Sequence, residues 1–156
     1  MHITFSQVEN DWFRAFLAVF NTKLAEWIPK SGDTVRAWIM EDFQQRQSDI
    51  AKQLQESKSL IHLSYDLWTS PNHLAFVGVF GHYVSSKYKV ETTLLGLRRL
   101  KGPHSGENIA EAIVAVVKTY EIIGKIGYFV LDNAGSNDTC VSAIVYTNLM
   151  VQVSRV

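Results

Sequence analysis

Two aspartates stand where strand-like apolar runs end: Asp66 within Leu60 to Trp68, and Asp132 directly after Ile126 to Leu131. Carboxylates at the carboxyl ends of strands lie on the edge of an open α/β sheet, where ligands bind. Two of them held close together repel, and each raises the other's proton affinity unless a cation sits between them. A divalent ion resolves that conflict, since magnesium takes one or two carboxylates and keeps positions for water and phosphate oxygens, as phosphoryl transfer requires. A second reading stays open on geometry alone, that each aspartate closes a turn, because Asp132-Asn133 is a natural turn pair.

The elements that would position these residues can be read along the chain. Ser6 and Glu9 have capping-box spacing, and Val8, Trp12, Ala15, Phe16, Val19 and Phe20 then recur at helical intervals. After a break at Pro29 to Gly32, a second helix is predicted from Asp33 to Ser57, with Val35, Trp38, Ile39, Phe43, Ile50 and Leu54 on one side. Aromatic residues at helical spacing usually face the domain's own core, so both stripes are expected to pack against the following sheet, with a partner surface as the alternative. Strands are predicted over Leu60 to Trp68, Leu74 to Val84 and Tyr88 to Leu100, an antiparallel meander. A helix over Ser105 to Tyr120 buries Ile109, Ile113, Val116, Val117 and Tyr120, and a strand over Ile126 to Leu131 follows. The last helix starts near Ser136 or Asp138. A crossover helix returns the chain parallel to a strand of the same sheet. If that strand is the first one, Asp66 and Asp132 become neighbours.

Composition sets the bounds. The 156 residues are 47% hydrophobic, enough for a globular core, and 15 Lys plus Arg balance 15 Asp plus Glu, so any attraction for phosphate must be local. A single cysteine, Cys140, excludes an internal disulfide framework, and there is no Cys/His pattern for zinc. The longest apolar stretch, Leu74 to Val84, is too short to span a membrane, and no secretory leader is seen. A soluble intracellular protein with no membrane association is expected. No Gly-rich phosphate loop follows a strand, which argues against a nucleotide-binding α/β domain.

The wording around the aspartates is more specific than their placement. Ser64-Tyr65-Asp66-Leu67-Trp68-Thr69-Ser70-Pro71 resembles the D-x-W-T-S block of hAT transposases. Gly96 to Arg99, His104 to Ile109 and Leu131 to Asp138 resemble the three blocks that follow it, in the same order. The N-terminal helices, Phe5 to Phe16 and Thr34 to Leu54, are similar to the helical segment that precedes the family's catalytic core. The resemblance implies an α/β fold with a mixed sheet of RNase H-like type, incomplete here and preceded by a helical segment. It divides the chain into a helical segment over residues 1–58, a partial catalytic core over 59–140 and a tail over 141–156.

In that family, a DDE triad of two Asp and one Glu binds two divalent ions that activate water, and later a DNA 3′-hydroxyl, for cleavage and strand transfer. Carried over by motif, Asp66 is the first acid and Asp132 the second, both catalytic and metal-binding, with Mg2+ or Mn2+ as the ion. The third acid has no counterpart: no glutamate follows Glu121, and Asp138 is the only acid beyond Asp132. An upstream zinc finger, a helical insertion and a C-terminal dimerisation segment are likewise expected to lie outside this chain. DNA is the implied partner and the nucleus the implied location. The alternative is a transposase remnant that binds DNA or dimerises, forming a homodimer through its N-terminal helices.

Neighbouring residues carry two readings each. Trp68 can stack on an unpaired base or pack in the core. Arg98 and Arg99, with Lys101, can meet phosphate or form a solvated strand end. His104 can act as a base or cap a helix, and Asn133 and Ser136 read as turn-formers. Cys140 lacks a base partner and is not a nucleophile candidate. If the sheet lacks a fifth strand, the strand ending at Leu131 exposes an apolar edge.

Overall fold

The computed structural model describes residues 4–102, 105–131, 139–140, 142–144 and 152–155. It forms two units, Met1–Asp49 and Ile50–Val156.

In the first unit, a 3-10 turn at Phe5–Glu9 leads into α1 (Asp11–Phe20) and α2 (Thr22–Trp27), followed by α3 (Gly32–Gln55), whose last turns belong to the second unit. The capping box is not formed. Ser6 instead meets the Thr4 hydroxyl, and the Glu9 carboxylate accepts a hydrogen bond from the Gly32 N–H at 2.7 Å. Asparagines do the capping: Asn10 accepts from Phe13 N–H at the start of α1, and Asn21 from Lys23 N–H at the start of α2. Short polar side chains with an extended backbone are suited to that role.

The expected inward stripe of α1 is also corrected. Phe13, Arg14, Leu17 and Ala18 are its less exposed residues, while Trp12 is 86% exposed and Phe16, Val19 and Phe20 lie in the open with it. Arg14 explains the orientation. Its guanidinium donates to the carbonyl oxygens of Val8 and Pro29, both at 3.1 Å, and to that of Ala25 in α2. Turning this donor inward turns the opposite, aromatic face outward. On α3, Trp38, Ile39, Met40 and Phe43 are exposed as well.

The second unit follows the expected order. β1 (Ile61–Thr69), β2 (Ala75–Val84) and β3 (Val90–Arg99) form an antiparallel meander; α4 (Gly106–Thr119) crosses over, and β4 (Ile126–Leu131) returns parallel to β1. The sheet order is β3-β2-β1-β4-β5, with β5 (Gln152–Arg155) parallel to β4. Tyr128 to Leu131 therefore pair with Gln152 to Arg155, and the bare β4 edge expected from the sequence is covered.

One face of this sheet makes the core. Ile61 and Leu63 of β1, Val77 and Val79 of β2 and Leu95 of β3 are buried with Ile109, Ile113, Val116 and Val117 of α4 and Leu54 of α3. Ser105 caps α4 by accepting from Asn108 N–H. Gly96 lets the helix approach β3, because a Cβ there would lie 2.6 Å from Val116 Cγ2. The helix and strand ends are tied reciprocally: Gln55 Nε2 donates to the Tyr120 and Glu121 carbonyls after α4, and Lys125 Nζ donates to the Leu54 and Gln55 carbonyls at the end of α3. Residues 139–140 and 142–144 are helical, with Cys140 and Ile144 buried in the same core. The start expected for this helix, near Ser136 or Asp138, lies outside the described residues.

Candidate functional site

Alternation along β1 sends Ile61 and Leu63 into the core, and His62, Ser64, Asp66 and Trp68 to the opposite face. Asp66 is exposed, and among the described residues its carboxylate has no hydrogen-bond or ion-pair partner. Its cross-strand partner on β2 is Gly78, which in turn faces Leu97 of β3. On the other side of β1, Ser64 pairs with Val130 of β4, which ends at Leu131. Asp132 is the next residue along the chain, and it lies outside the described residues, as do His104, Asn133 and Ser136.

Trp68 lies on the same face as Asp66, so it does not join the α4 core. Its ring stacks on Phe76 of β2 at 5.9 Å between centroids and remains 42% exposed. Gly78 gives the indole its place, since a Cβ there would come within 3.3 Å of Trp68 Cζ3. Arg99 of β3 pairs with Phe76, so an arginine, a phenylalanine and a tryptophan occupy one row across three strands at the end of the sheet. Arg98 pairs with Val77 and takes the α4 side. Both arginines are exposed, and neither forms an ion pair among the described residues.

The Asp66 face also carries polar residues that motif reasoning passed over. His82 of β2 joins Ser64 to Thr92 of β3, with Nε2 2.8 Å from Ser64 Oγ and Nδ1 3.0 Å from Thr92 Oγ1. Since both partners are hydroxyls, either can donate or accept, and both imidazole tautomers are satisfied. His62 stacks on Tyr128 of β4, and its Nδ1 accepts from the Tyr128 N–H at 3.1 Å. This bond falls where the β1–β4 register shifts between Ile61 and Leu63, so a side chain takes an N–H that the ladder leaves over. The alternating His62, Ser64 and Asp66 were a visible signal of a polar strand face.

Cys140 is fully buried, and that desolvation pushes its thiol up from the ordinary 9.0 to about 11, partly offset by a hydrogen bond with Tyr65. It stays a neutral thiol at physiological pH, consistent with its exclusion as a nucleophile. The Glu107 carboxyl, in the first turn of α4, is held below its usual range by its own backbone N–H and by the Ser105 hydroxyl. Among the described residues, no three His, Cys, Asp or Glu side chains form a group able to hold a metal, and no helix is long and apolar enough to cross a membrane.

Comparison with known proteins agrees with this architecture. The tpeD protein of Talaromyces stipitatus, named as a transcriptional regulator, is 27% identical over 142 residues, covering 91% of this chain and 17% of that protein. The AC transposase of Zea mays is 25% identical over 142 residues, 90% of this chain and 17% of the transposase. The zinc finger BED domain-containing protein RICESLEEPER 2 of Oryza sativa subsp. japonica is 23% identical over 111 residues, 71% of this chain and 15% of that protein. The chain thus spans about a sixth of the length of these relatives. The ZBED1 RNase-like domain matches residues 64–155, from two residues before Asp66 to the end of β5. With its RNase H-like α/β sheet and a match over more than half its length, the chain belongs to the hAT-related ZBED1 RNase-like domain family.

Proposed function

We propose that Asp66 and Asp132 together hold a divalent cation, Mg2+ or Mn2+, at the carboxyl edge of the sheet, in a site of the type that transposases use for DNA phosphoryl transfer. The observation that carries this reading is the parallel register of β1 and β4. Ser64 faces Val130; Asp66 lies two residues beyond Ser64 on β1, and Asp132 follows Leu131, the last residue of β4, in the sequence. Asp66 fits the role, because its carboxylate is exposed, unpartnered and a hard oxygen donor. A bound cation would supply positive charge to a phosphoryl oxygen. The chain's own contribution is positioning: Trp68, stacked on Phe76 beside Asp66, offers an aromatic face to an unpaired base, an interaction of roughly 1 to 3 kcal/mol. The Zea mays relative named as a transposase and the relatives named as BED zinc finger proteins support DNA as the partner and the nucleus as the compartment.

Two carboxylates leave such a centre short of one ligand, and the chain alone is expected to cut DNA weakly or not at all. Incubation of purified protein with DNA and Mg2+ or Mn2+ tests this. Robust cutting that is lost in Asp66→Ala would keep the site but overturn the expectation of weak activity. Cutting that survives Asp66→Ala would overturn the site itself.

A second reading is favoured by a separate observation, the exposed aromatic residues of the first unit. Trp12, Phe16, Phe20, Trp38 and Phe43 present a large apolar surface, the kind that marks a protein–protein contact. On this reading the N-terminal helices form a homodimer. Sedimentation velocity decides it: self-association weakened by Trp12→Glu supports the dimer, and a strictly monomeric protein counts against it.

A further inference from the structure

The end of β3 and the first half of α4 enclose a shallow cavity of about 240 Å³ on the α4 side of the sheet. Arg98, Arg99 and Lys101 line it, together with Asn108 and Glu111. In a chain whose charges sum to zero, Arg98 and Lys101 with a single acid around one cavity, and Arg99 beside them in the row of Phe76, are a local concentration of positive charge. Among the described residues, the side chains of these cations have no hydrogen-bond or ion-pair partner, Glu111 included. A salt bridge elsewhere, between Arg46 and Asp42 at 2.7 Å, shows that such pairing is within reach of the sequence.

We propose that this cavity binds a backbone phosphate of single-stranded DNA, an assignment that rests on the reading of the chain as a DNA-processing domain. Guanidinium forks and an ammonium group match the oxygens of a phosphodiester, and unpaired cations bind it without first giving up an internal partner. Asp66, Gly78 and Leu97 occupy one row across β1, β2 and β3, and Arg98 follows Leu97 but takes the opposite, α4 side of the sheet, so a strand that touches both the cavity and Asp66 passes around the β3 edge. Glu111 is the opposing charge, and it limits affinity.

The test is fluorescence anisotropy with a fluorescein-labelled single-stranded DNA oligonucleotide of about twenty nucleotides, titrated between roughly 50 and 200 mM salt in EDTA. Excluding metal separates this proposal from the cation site, because loss of the Asp66 and Asp132 reading would leave the binding measured here unchanged. Arg98→Gln and Lys101→Gln are each expected to weaken binding roughly 3- to 10-fold and to lower the salt slope by about 0.7 to 1. Glu111→Gln is expected to tighten binding, a gain that a structural role would not produce. Lys118→Gln, on α4 but outside the cavity, is expected to leave affinity and slope unchanged. All four positions are exposed, and circular dichroism would verify folding. Absence of DNA binding, or an unaltered affinity and slope in Arg98→Gln and Lys101→Gln, would overturn the proposal. So would competition by a polyglutamate peptide as strong as that by unlabelled DNA, which would assign the cavity to an acidic protein surface.

Discussion

Ser64 of β1 and Val130 of β4 face one another in a parallel ladder, and this pairing relates two sequence blocks that stand far apart along the chain. Because the strands run in the same direction, β1 carries Asp66 two residues beyond Ser64, and β4 ends at Leu131, which Asp132 follows in the sequence.

The register can be trapped covalently. Disulfides need Cα atoms about 4.4 to 6.8 Å apart, a range that includes neighbouring strands. In a Cys140→Ala background, Asp66→Cys with Asp132→Cys is expected to oxidise to an intramolecular disulfide, seen by mass spectrometry and non-reducing electrophoresis. Trp68→Cys with Asp132→Cys is expected to remain reduced.

His62 secures β4 to β1 where their register shifts, accepting the Tyr128 N–H and stacking on its ring. Removing the acceptor leaves a partly exposed backbone donor to water, so His62→Ala is expected to cost about 0.5 to 1.5 kcal/mol in urea unfolding. His62→Phe preserves an aromatic stack without the acceptor and should recover only part of that loss. Hydrogen exchange at Tyr128 N–H should quicken in both variants.

Cys140 gives the fold a dependence on alkaline pH. Its native thiol is raised from 9.0 to about 11, so the native state binds its proton more tightly than the unfolded chain does. The resulting stability is complete below about pH 9 and is lost as pH rises through about 11, a change on the order of 3 kcal/mol. Denaturation midpoints measured from pH 8 to 11 should fall less steeply in Cys140→Ala, which has no thiol to titrate. Thiol reagents should label the native protein slowly and the unfolded protein fast.

Arg14 organises the first unit through three carbonyl oxygens, those of Val8, Ala25 and Pro29. Arg14→Ala is expected to cost about 3 kcal/mol or more, because hydrogen bonds to a charged donor contribute about 1.5 to 3 kcal/mol each and are not additive. Arg14→Lys should rescue little, since an ammonium cannot span three separated acceptors as a planar fork does. Limited proteolysis between Phe5 and Pro29 is the readout, with cleavage faster in both variants.

Much of the second unit was legible in the sequence because its signals are local. Alternating or continuous apolar runs marked the strands, and Ile109, Ile113, Val116 and Val117 fell on the buried side of α4 as their spacing implied. The first unit was less legible. Apolar spacing identifies a stripe but not the side on which it lies, and the inward placement of Arg14 sent Trp12 and Phe16 outward. Ser6 and Glu9 had the spacing of a capping box, but the Gly32 N–H took the Glu9 carboxylate and Asn10 capped the helix. β5 was hidden for another reason: a four-residue strand paired in parallel with a distant segment leaves no local pattern. At the candidate site, Asp66 was marked by its sequence block. The cavity beside Arg98 was not, because it is completed by Asn108 and Glu111 from a helix that the chain brings back only on folding.

A cation shared by Asp66 and Asp132 is detected by electron paramagnetic resonance of added Mn2+, which reports the free ion. Bound Mn2+ is expected in the unsubstituted protein, with the affinity lowered at least tenfold by Asp66→Asn and to a similar extent by Asp132→Asn. Mn2+ binding that neither substitution changes, or no binding at millimolar Mn2+, would contradict it.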